Sequence, residues 1–575
     1  MHRRVLAFDF DGTLAENGVV PAEVCTALEQ LYDSGHALFL VTGRLTESVS
    51  LDPIGDLFTG IVWENGAVLY DTVNRETDLP FGQLDRRLVE ALIAADVPLE
   101  QGLAIVSTWA PHKETVWRVI NKWGGDAAVI NNKGAIMILP AGAAKGSGLQ
   151  RLLTTCCFSP RNLVSFGDAE NDLSLLTLGE YGVAVANAVP SLKVIADLVT
   201  TQPGPAGVHE ALTAYWLNER QLDIPLSREI KIPLGEDKDN APAFLSSALL
   251  AGNNLGIFGD SGAGKSWVSG LLAEGMHHAD YQILLIDPEG DFRGMQAMSR
   301  FVAFKGDLST MPSPSVVATV LESVGVSVVL DLCEYPDSQR GKYVANLLRV
   351  LRPLRERKFR PHWILLEEAQ YFLSPSSDDY QSIIEALTPM LPGGGWAFVS
   401  YAPAQLGNPV ISALKYCLLT RLSDADSSRV LHKQFQLPAD IPVAIPRNHV
   451  WVSGYGLVRL LQNTRRVPHI RHLFKYLDNP LPRQKHFYFR DEHGYLGLHA
   501  ASLFEFLQLL PDLSIESLSY HQSRNDFSAW AEGALGDAEL AARLRKLAHR
   551  QFKGKALRTA LLQCVATHYT ELHKH

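Results

Sequence analysis

The chain has 575 residues, a net charge of -10, 46% hydrophobic and 20% charged residues; this is ordinary for globular protein and too long for one core, at roughly 150 residues per domain. The acidic balance excludes global attraction to nucleic acid, so any such contact needs a local basic patch. Cys25, Cys156, Cys157, Cys333, Cys417 and Cys564 lack metal-ligand spacing and suit a reducing cytoplasm, and no apolar run predicts a signal peptide or a membrane span.

The first predicted strand, Val5 to Phe8, runs into Asp9, with Asp11, Gly12 and Thr13 just beyond. Open α/β sheets present ligand-binding groups at such strand ends. A second strand, Ala37 to Val41, ends in Thr42-Gly43-Arg44. Lys145 opens a predicted helix, and a strand from Asn162 to Phe166 ends in Gly167-Asp168-Ala169-Glu170-Asn171-Asp172. A carboxylate nucleophile takes a phosphoryl group as an aspartyl-phosphate, and a second acid two residues on protonates the leaving oxygen and activates water. Crowded carboxylates repel a phosphate dianion, a conflict that Mg2+ removes. Asp-x-Asp-Gly-Thr by itself also suits a turn after a buried strand; motifs at several strand and helix ends argue against that reading.

This order of motifs resembles the haloacid dehalogenase superfamily of phosphatases. The resemblance implies Asp9 as nucleophile, Asp11 as general acid/base, and Thr42 and Lys145 as phosphate ligands. It implies Mg2+ held by Asp9, Asp11 (through its carbonyl) and Asp168, with Asp172 on or behind the metal. The stretch Glu64-Asn65-Gly66-Ala67 resembles the sugar-phosphatase branch, which carries an inserted cap that reads the substrate. The cap is expected at about 84–143, with helices at Asp85–Ala94 and Lys113–Lys122 and strands at Leu103–Val106 and Ala135–Leu139.

A second unit opens at Ile230–Gly235. The strand Leu255–Phe258 leads into Gly259-Asp260-Ser261-Gly262-Ala263-Gly264-Lys265-Ser266, and a helix follows. This is a Walker A loop in its required strand–loop–helix setting: Gly259, Gly262 and Gly264 free the backbone to cradle phosphates, Lys265 reaches the β and γ phosphates of ATP, and Ser266 binds Mg2+. Strands Ile283–Asp287 and Ser327–Asp331 follow. The apolar run Trp363–Leu366 then ends in Glu367 and Glu368, a Walker B pattern with Glu where Asp is more usual. Glu367 would hold metal-bound water and Glu368 would activate the attacking water. Gln405, after the strand Trp396–Ser400, is a candidate γ-phosphate sensor.

Together with Ile286–Phe292 and Glu367-Glu368-Ala369-Gln370, this order resembles the HerA–FtsK-type ATPases. The resemblance implies a homo-oligomer, a hexameric ring, with an arginine from a neighbouring subunit; Arg421 and Arg429 both qualify.

In the last segment, His469–Tyr476 is dense in cations and aromatics; such a run suits a phosphate or nucleic-acid contact, but more often marks a solvated helix face with its aromatics turned inward. His486–Arg490 reads as a strand. Ser502 and Asp537 are predicted N-caps of the helices Leu503–Leu509 and Ala538–Gln551, and Thr559–Leu572 is apolar on one face. His486, His499 and His521 lack metal spacing and read as structural.

The expected fold is therefore α/β throughout its first two domains: a Rossmann-like haloacid dehalogenase core with an inserted α/β cap (1–215), then a P-loop NTPase domain (222–470). A mainly helical accessory domain (471–575) completes it. The expected activity is a cytoplasmic, Mg2+-dependent phosphatase of a small phosphorylated metabolite, a sugar phosphate by its branch, fused to an ATP-binding module that regulates or powers it. The competing reading is a HerA-like ring translocase on nucleic acid, with the phosphatase-like domain as accessory. No membrane partner is expected.

Overall fold

The computed structural model describes residues 4–46, 51–132, 134–217, 230–437, 445–461, 477, 480–481, 483–535, 537–550 and 552–573. The run His469–Tyr476 lies outside the described residues. The chain divides into two compact units. The first comprises 1–285, 312–328 and 341–464, and the second 286–311, 329–340 and 465–575. Among the described residues no helix is long and apolar enough to cross a membrane.

In the first unit an eight-stranded sheet is built on Val5–Asp9, all five residues of which are buried. Continuous apolar runs of this kind form parallel strands covered on both faces. Val5–Asp9 lies between Leu163–Gly167 and Ala37–Val41, parallel to both, and Phe8 stacks on Phe166 at 4.8 Å. The strands Tyr181–Ala184 and Leu198–Val199 extend one side. Phe58–Trp63 extends the other, followed by the antiparallel Val68–Asp71 and Glu76–Asp78.

A small α/β subdomain is inserted between Asp78 and Lys145. Its antiparallel sheet runs Glu100–Gln101, Val106–Trp109, Ala135–Pro140, Ala127–Asn132. The helices Arg86–Ala94, capped by Asp85, and Lys113–Trp123 contribute Leu88, Leu92, Val116 and Ile120 to its core. One strand differs from the expectation: 103–105 is loop and the strand is Val106–Trp109. The amides of Leu103, Ala104 and Ile105 are taken by the Glu64 carboxylate instead of a strand neighbour.

Eight strands of a second sheet also belong to the first unit. Four run parallel in the order Tyr416–Leu419, Asn254–Phe258, Trp396–Ser400, Trp363–Leu366. An antiparallel flank extends from Tyr416–Leu419 through His449–Val452, Gly456–Leu460, Lys231–Glu236 and Pro242–Ser246.

The two sheets of this unit meet at the N-terminal ends of their strands. Arg360, fully buried, donates to the carbonyl of Cys157 on one side and to Gln282 Oε1 and the carbonyls of Leu321 and Glu322 on the other, all at 2.8–2.9 Å. Lys358 Nζ donates to the Cys156 carbonyl at 2.7 Å, and Tyr281 Oη donates to Glu180, which also pairs with Arg4 at 2.5 Å. Burial pushes the Arg360 pKa down to about 10, yet four acceptors engage its Nη1 and Nη2.

The C-terminal part of the second unit is a hairpin, Phe487–Asp491 with Gly494–Ala500, packed on five helices from Leu503 to His573. Phe487, Phe489, Phe506 and Trp530 form its aromatic core. Ser502 and Asp537 cap as expected, accepting from the amides of Glu505 and Leu540. His521 accepts from the Arg490 amide and pairs with Asp526, and His486 stacks on His499, so these histidines serve packing.

Candidate active site

The carboxylates expected from the sequence converge at the C-terminal edge of the first sheet. Asp9 ends one strand, and Asp168 follows the next. Lys145 is the first residue of the helix Lys145–Thr155. Lys145 Nζ bridges Asp9 Oδ1 at 2.5 Å and Asp172 Oδ1 at 2.6 Å, and all three side chains are buried. The other Asp172 oxygen accepts from the amides of Asp168 and Ala169. Asp172 is thus committed to holding Lys145 and the 168–169 turn.

Two carboxylates share one ammonium here, with Asp168 close by. Burial and the neighbouring Asp172 charge push the Asp9 pKa up to about 7 against the pull of Lys145. Burial disfavours the Lys145 ammonium, but Asp172 and Asp9 outweigh it and hold its pKa above the ordinary lysine value. Oxygen atoms of Asp9, Asp168 and Asp172 lie within 4.8 Å of one another. An all-oxygen set with excess negative charge fits a hard divalent cation such as Mg2+.

Asp11 stands at the mouth, its side chain 43% exposed, and Arg44 grips it through Nε at 2.7 Å and Nη2 at 2.5 Å. Thr42 is buried, and its hydroxyl accepts from the Arg44 amide at 3.1 Å. The sequence motif assigns Arg44 no role; its place two residues past Thr42 is the available signal. Asn187 was missed altogether. It donates to Asp168 Oδ2 and to the Gly12 carbonyl, tying two loops 175 residues apart.

The turn Glu64–Gly66, expected only as a branch motif, has contacts that the sequence does not reveal. Glu64 and Asn65 both have left-handed backbones, with φ of 53° each, an arrangement that costs free energy in non-glycine residues. The turn ties three loops of the site together. Asn65 accepts from Asn171, its amide donates to the Thr42 carbonyl, and Glu64 is fully buried under the inserted subdomain's loop. A side chain at Gly102 would meet the Glu64 carboxylate at 2.5 Å, so the loop can approach only as glycine. Glu64→Gln is expected to lower stability by about 1–3 kcal/mol, through weakened charge-assisted hydrogen bonds, and to raise KM more than it lowers kcat. Thermal unfolding and kinetics on p-nitrophenyl phosphate check this; an unchanged melting temperature and KM would contradict it.

The second sheet carries the phosphate loop. Gly259 lies so close to Thr420 that a Cβ would meet its hydroxyl at 1.8 Å, and Gly264 (φ 99°) starts the helix Lys265–His278. Lys265 is buried and donates to the Asp260 carbonyl at 3.2 Å. Ser266 sits on the first turn of the same helix. Glu367 follows the strand Trp363–Leu366, next but one to Asn254–Phe258, and accepts from Ser269, one turn beyond Ser266. Glu368 has a left-handed backbone (φ 46°) and accepts from Gln370, whose own oxygen accepts from Ser400 at 2.6 Å. Gln370 and Ser400 therefore orient Glu368, a relay sequence reasoning did not assign. Gln405 is exposed on a short 3-10 turn. Of the two arginines, Arg421 lies 3.6 Å from Asp260 in its own phosphate loop, while Arg429 pairs with Asp426 on an exposed helix face.

Fold and first site are those of a hydrolase with a buried aspartate cluster, followed by a P-loop domain. Residues 6–107 and 112–212 match the haloacid dehalogenase-like hydrolases, 232–315 match the central domain of helicase HerA, and 480–566 match a family of unknown function. Phosphoglycolate phosphatase 2 of Saccharolobus solfataricus is 30% identical over 215 residues, 36% of this chain and 90% of that protein. The phosphoglycolate phosphatase of Methanothermobacter thermautotrophicus is 28% identical over 237 residues, 37% of this chain and 98% of that protein. A solved haloacid dehalogenase-like hydrolase from Bacteroides thetaiotaomicron is 18% identical over 37% of this chain and 99% of its own, with a TM-score of 0.34. The chain belongs to the haloacid dehalogenase-like hydrolases, joined in one polypeptide to a HerA-type P-loop domain.

Proposed function

We propose that the N-terminal module is a phosphatase of a small phosphomonoester that works through an aspartyl-phosphate on Asp9. The observation that carries this is Lys145 bridging Asp9 and Asp172 in a buried carboxylate cluster. Asp9 Oδ attacks phosphorus, the ester oxygen leaves with a proton from Asp11, and Asp11 then takes a proton from the water that hydrolyses the intermediate. Arg44 aims Asp11 at the mouth. Thr42 and Lys145 receive the phosphoryl oxygens. Asp9, Asp168 and the Asp11 carbonyl would hold Mg2+, with Asp172 behind them. When bound, the ion offsets the charge of phosphate against the carboxylates.

The substrate class is a short phosphorylated metabolite. The likeness to phosphoglycolate phosphatases supports a two- or three-carbon phosphorylated acid, and the sugar-phosphatase motif Glu64–Ala67 supports phosphorylated sugars. A panel of phosphoglycolate, hexose phosphates, pentose phosphates and nucleotides, read as kcat/KM, decides between them. A preference for nucleotides or nucleic-acid ends by more than tenfold would favour the ring-translocase reading instead.

The P-loop module binds ATP through Lys265 and Ser266, with Glu367 behind the metal-bound water and Glu368 as base. Lys265→Ala is expected to weaken ATP binding about 10- to 100-fold and to leave phosphatase activity without nucleotide unchanged. Titration with a fluorescent ATP analogue, paired with phosphate release, reads both; intact ATP affinity would overturn the assignment.

The two sites lie at strand ends facing away from the seam, because Asp9 and Glu367 follow the strands whose opposite ends bear Arg4 and His362. On this reading ATP regulates the phosphatase through the packed sheets. Phosphatase kinetics without nucleotide, with ATP and with a non-hydrolysable analogue test this. Identical rates in all three would leave the modules merely tethered.

A further inference from the structure

At the seam of the two sheets lies a cavity of about 290 Å³. Arg4, Arg161 and Glu180 line it from the phosphatase side; Tyr281, Arg355 and His362 line it from the P-loop side. Its three arginines differ in how they are neutralised. Arg4 is paired with Glu180 at 2.5 Å. Arg161 lies over the Tyr281 ring and reaches Asp280 only at 3.8 Å. Arg355 has no acidic partner among the described residues. Its Nη2 donates to the Gly394 carbonyl at 2.7 Å, its guanidinium lies 5.4 Å over the Trp396 ring, and its Nη1 is buried without a hydrogen bond. The adjacent Glu356 is engaged by Arg352.

A guanidinium taken out of water without a counter-ion is costly, and buried unpaired donors in native proteins call for an explanation. Burial alone pushes the Arg355 pKa down to about 10, with no carboxylate to restore it. His362 adds no charge: burial and then the nearby arginines hold it well below its ordinary pKa. The neighbouring Arg360 shows the contrast. It is more deeply buried, also lacks an acid and likewise leaves Nε without a partner, but backbone carbonyls and Gln282 take up both of its Nη groups. Arg355 has one such carbonyl and an open volume beside it.

We propose that this seam cavity is a binding site for a small phosphate-class anion, free phosphate or the phosphoryl group of a metabolite, held between Arg355 and Arg161. Arginine suits this ligand because its planar fork matches phosphoryl oxygens and stays charged when desolvated. The volume holds phosphate with room for a short carbon chain. The site is separate from both strand-end sites and touches residues of both modules.

The test uses the full chain in metal-free buffer, with inorganic phosphate or β-glycerophosphate as probe and chloride at matched ionic strength as control. The catalytic site and the P-loop also take phosphate, so the reading is the difference between wild type and Arg355→Gln. A ligand that binds only the folded state raises the melting temperature by mass action. Wild type is expected to gain about 2–4 °C more than Arg355→Gln at saturating probe, and Arg161→Gln is expected to lose the same increment. A larger difference with β-glycerophosphate assigns the site to a phosphorylated metabolite, and a larger one with phosphate assigns it to the free ion. Equal probe-induced shifts in wild type and both variants overturn the proposal. Should Arg355→Gln fail to fold, Arg161→Gln, at a half-buried and more tolerant position, decides alone.

Discussion

Asp9→Asn is expected to abolish phosphate release, by roughly a thousandfold or more, while leaving the fold intact. The amide is nearly isosteric with the carboxylate, so packing around this buried strand end is kept. It is a poor nucleophile and a poor ligand for a hard cation. It also relieves the crowding of three acids around Lys145, which makes unfolding an implausible cause of any loss. The measurement is single-turnover phosphate release with circular dichroism on the same sample. A folded variant that releases phosphate at the wild-type rate would remove Asp9 from the mechanism. Trapping of a covalent phosphoryl group on wild type, and its absence from the variant, would place the nucleophile directly.

Lys145→Met is expected to damage stability as well as activity. The ammonium is the only cation bonded to Asp9 and Asp172 among the described residues, and removing one partner of a buried ion pair costs about 3–5 kcal/mol. Methionine fills a similar volume, so the loss reports charge and not a cavity. In metal-free buffer the variant should melt well below wild type, and added Mg2+ should return part of the difference by taking the place of the missing positive charge. An unchanged melting temperature without metal would show that these carboxylates do not depend on Lys145. The contrast with Asp9→Asn is informative. One variant removes a charge from the crowded side of the cluster, the other from the sparse side, so their stability effects should have opposite signs.

The arrangement also bears on how the two modules act on each other. The seam is held by fully buried Arg360 and by the Lys358 and Tyr281 contacts, while both chemical sites sit at the far strand ends. The segment Lys358–His362 runs directly into the strand that ends at Glu367, and Asn162 runs directly into the strand that ends before Asp168. The strands are the packed elements that join the seam to each site, and coupling between sites in known cases amounts to about 1–3 kcal/mol.

By itself the sequence determined the strand-end acids, the Walker A loop and the mixed α/β order, because each is a local pattern: an apolar run, then a turn carrying the chemistry within a few residues. Asp9, Asp11, Thr42, Lys145, Asp168, Lys265 and the Glu367–Glu368 pair stand out as candidates on that ground. Only the tertiary structure decided what each one touches. Lys145 meets Asp9 across 136 residues, Glu64 meets the amides of 103–105 across about forty, and Arg360 meets Cys157 across 203. Such pairings leave no periodicity in the chain. Arg44 and Gln370 stood inside quoted motifs, yet their partners, Asp11 and Ser400, lie on other loops. The strand placed at 103–106 failed for the same reason. Its residues have strand-like character, but a buried carboxylate from a distant turn took the amides that a neighbouring strand would have used.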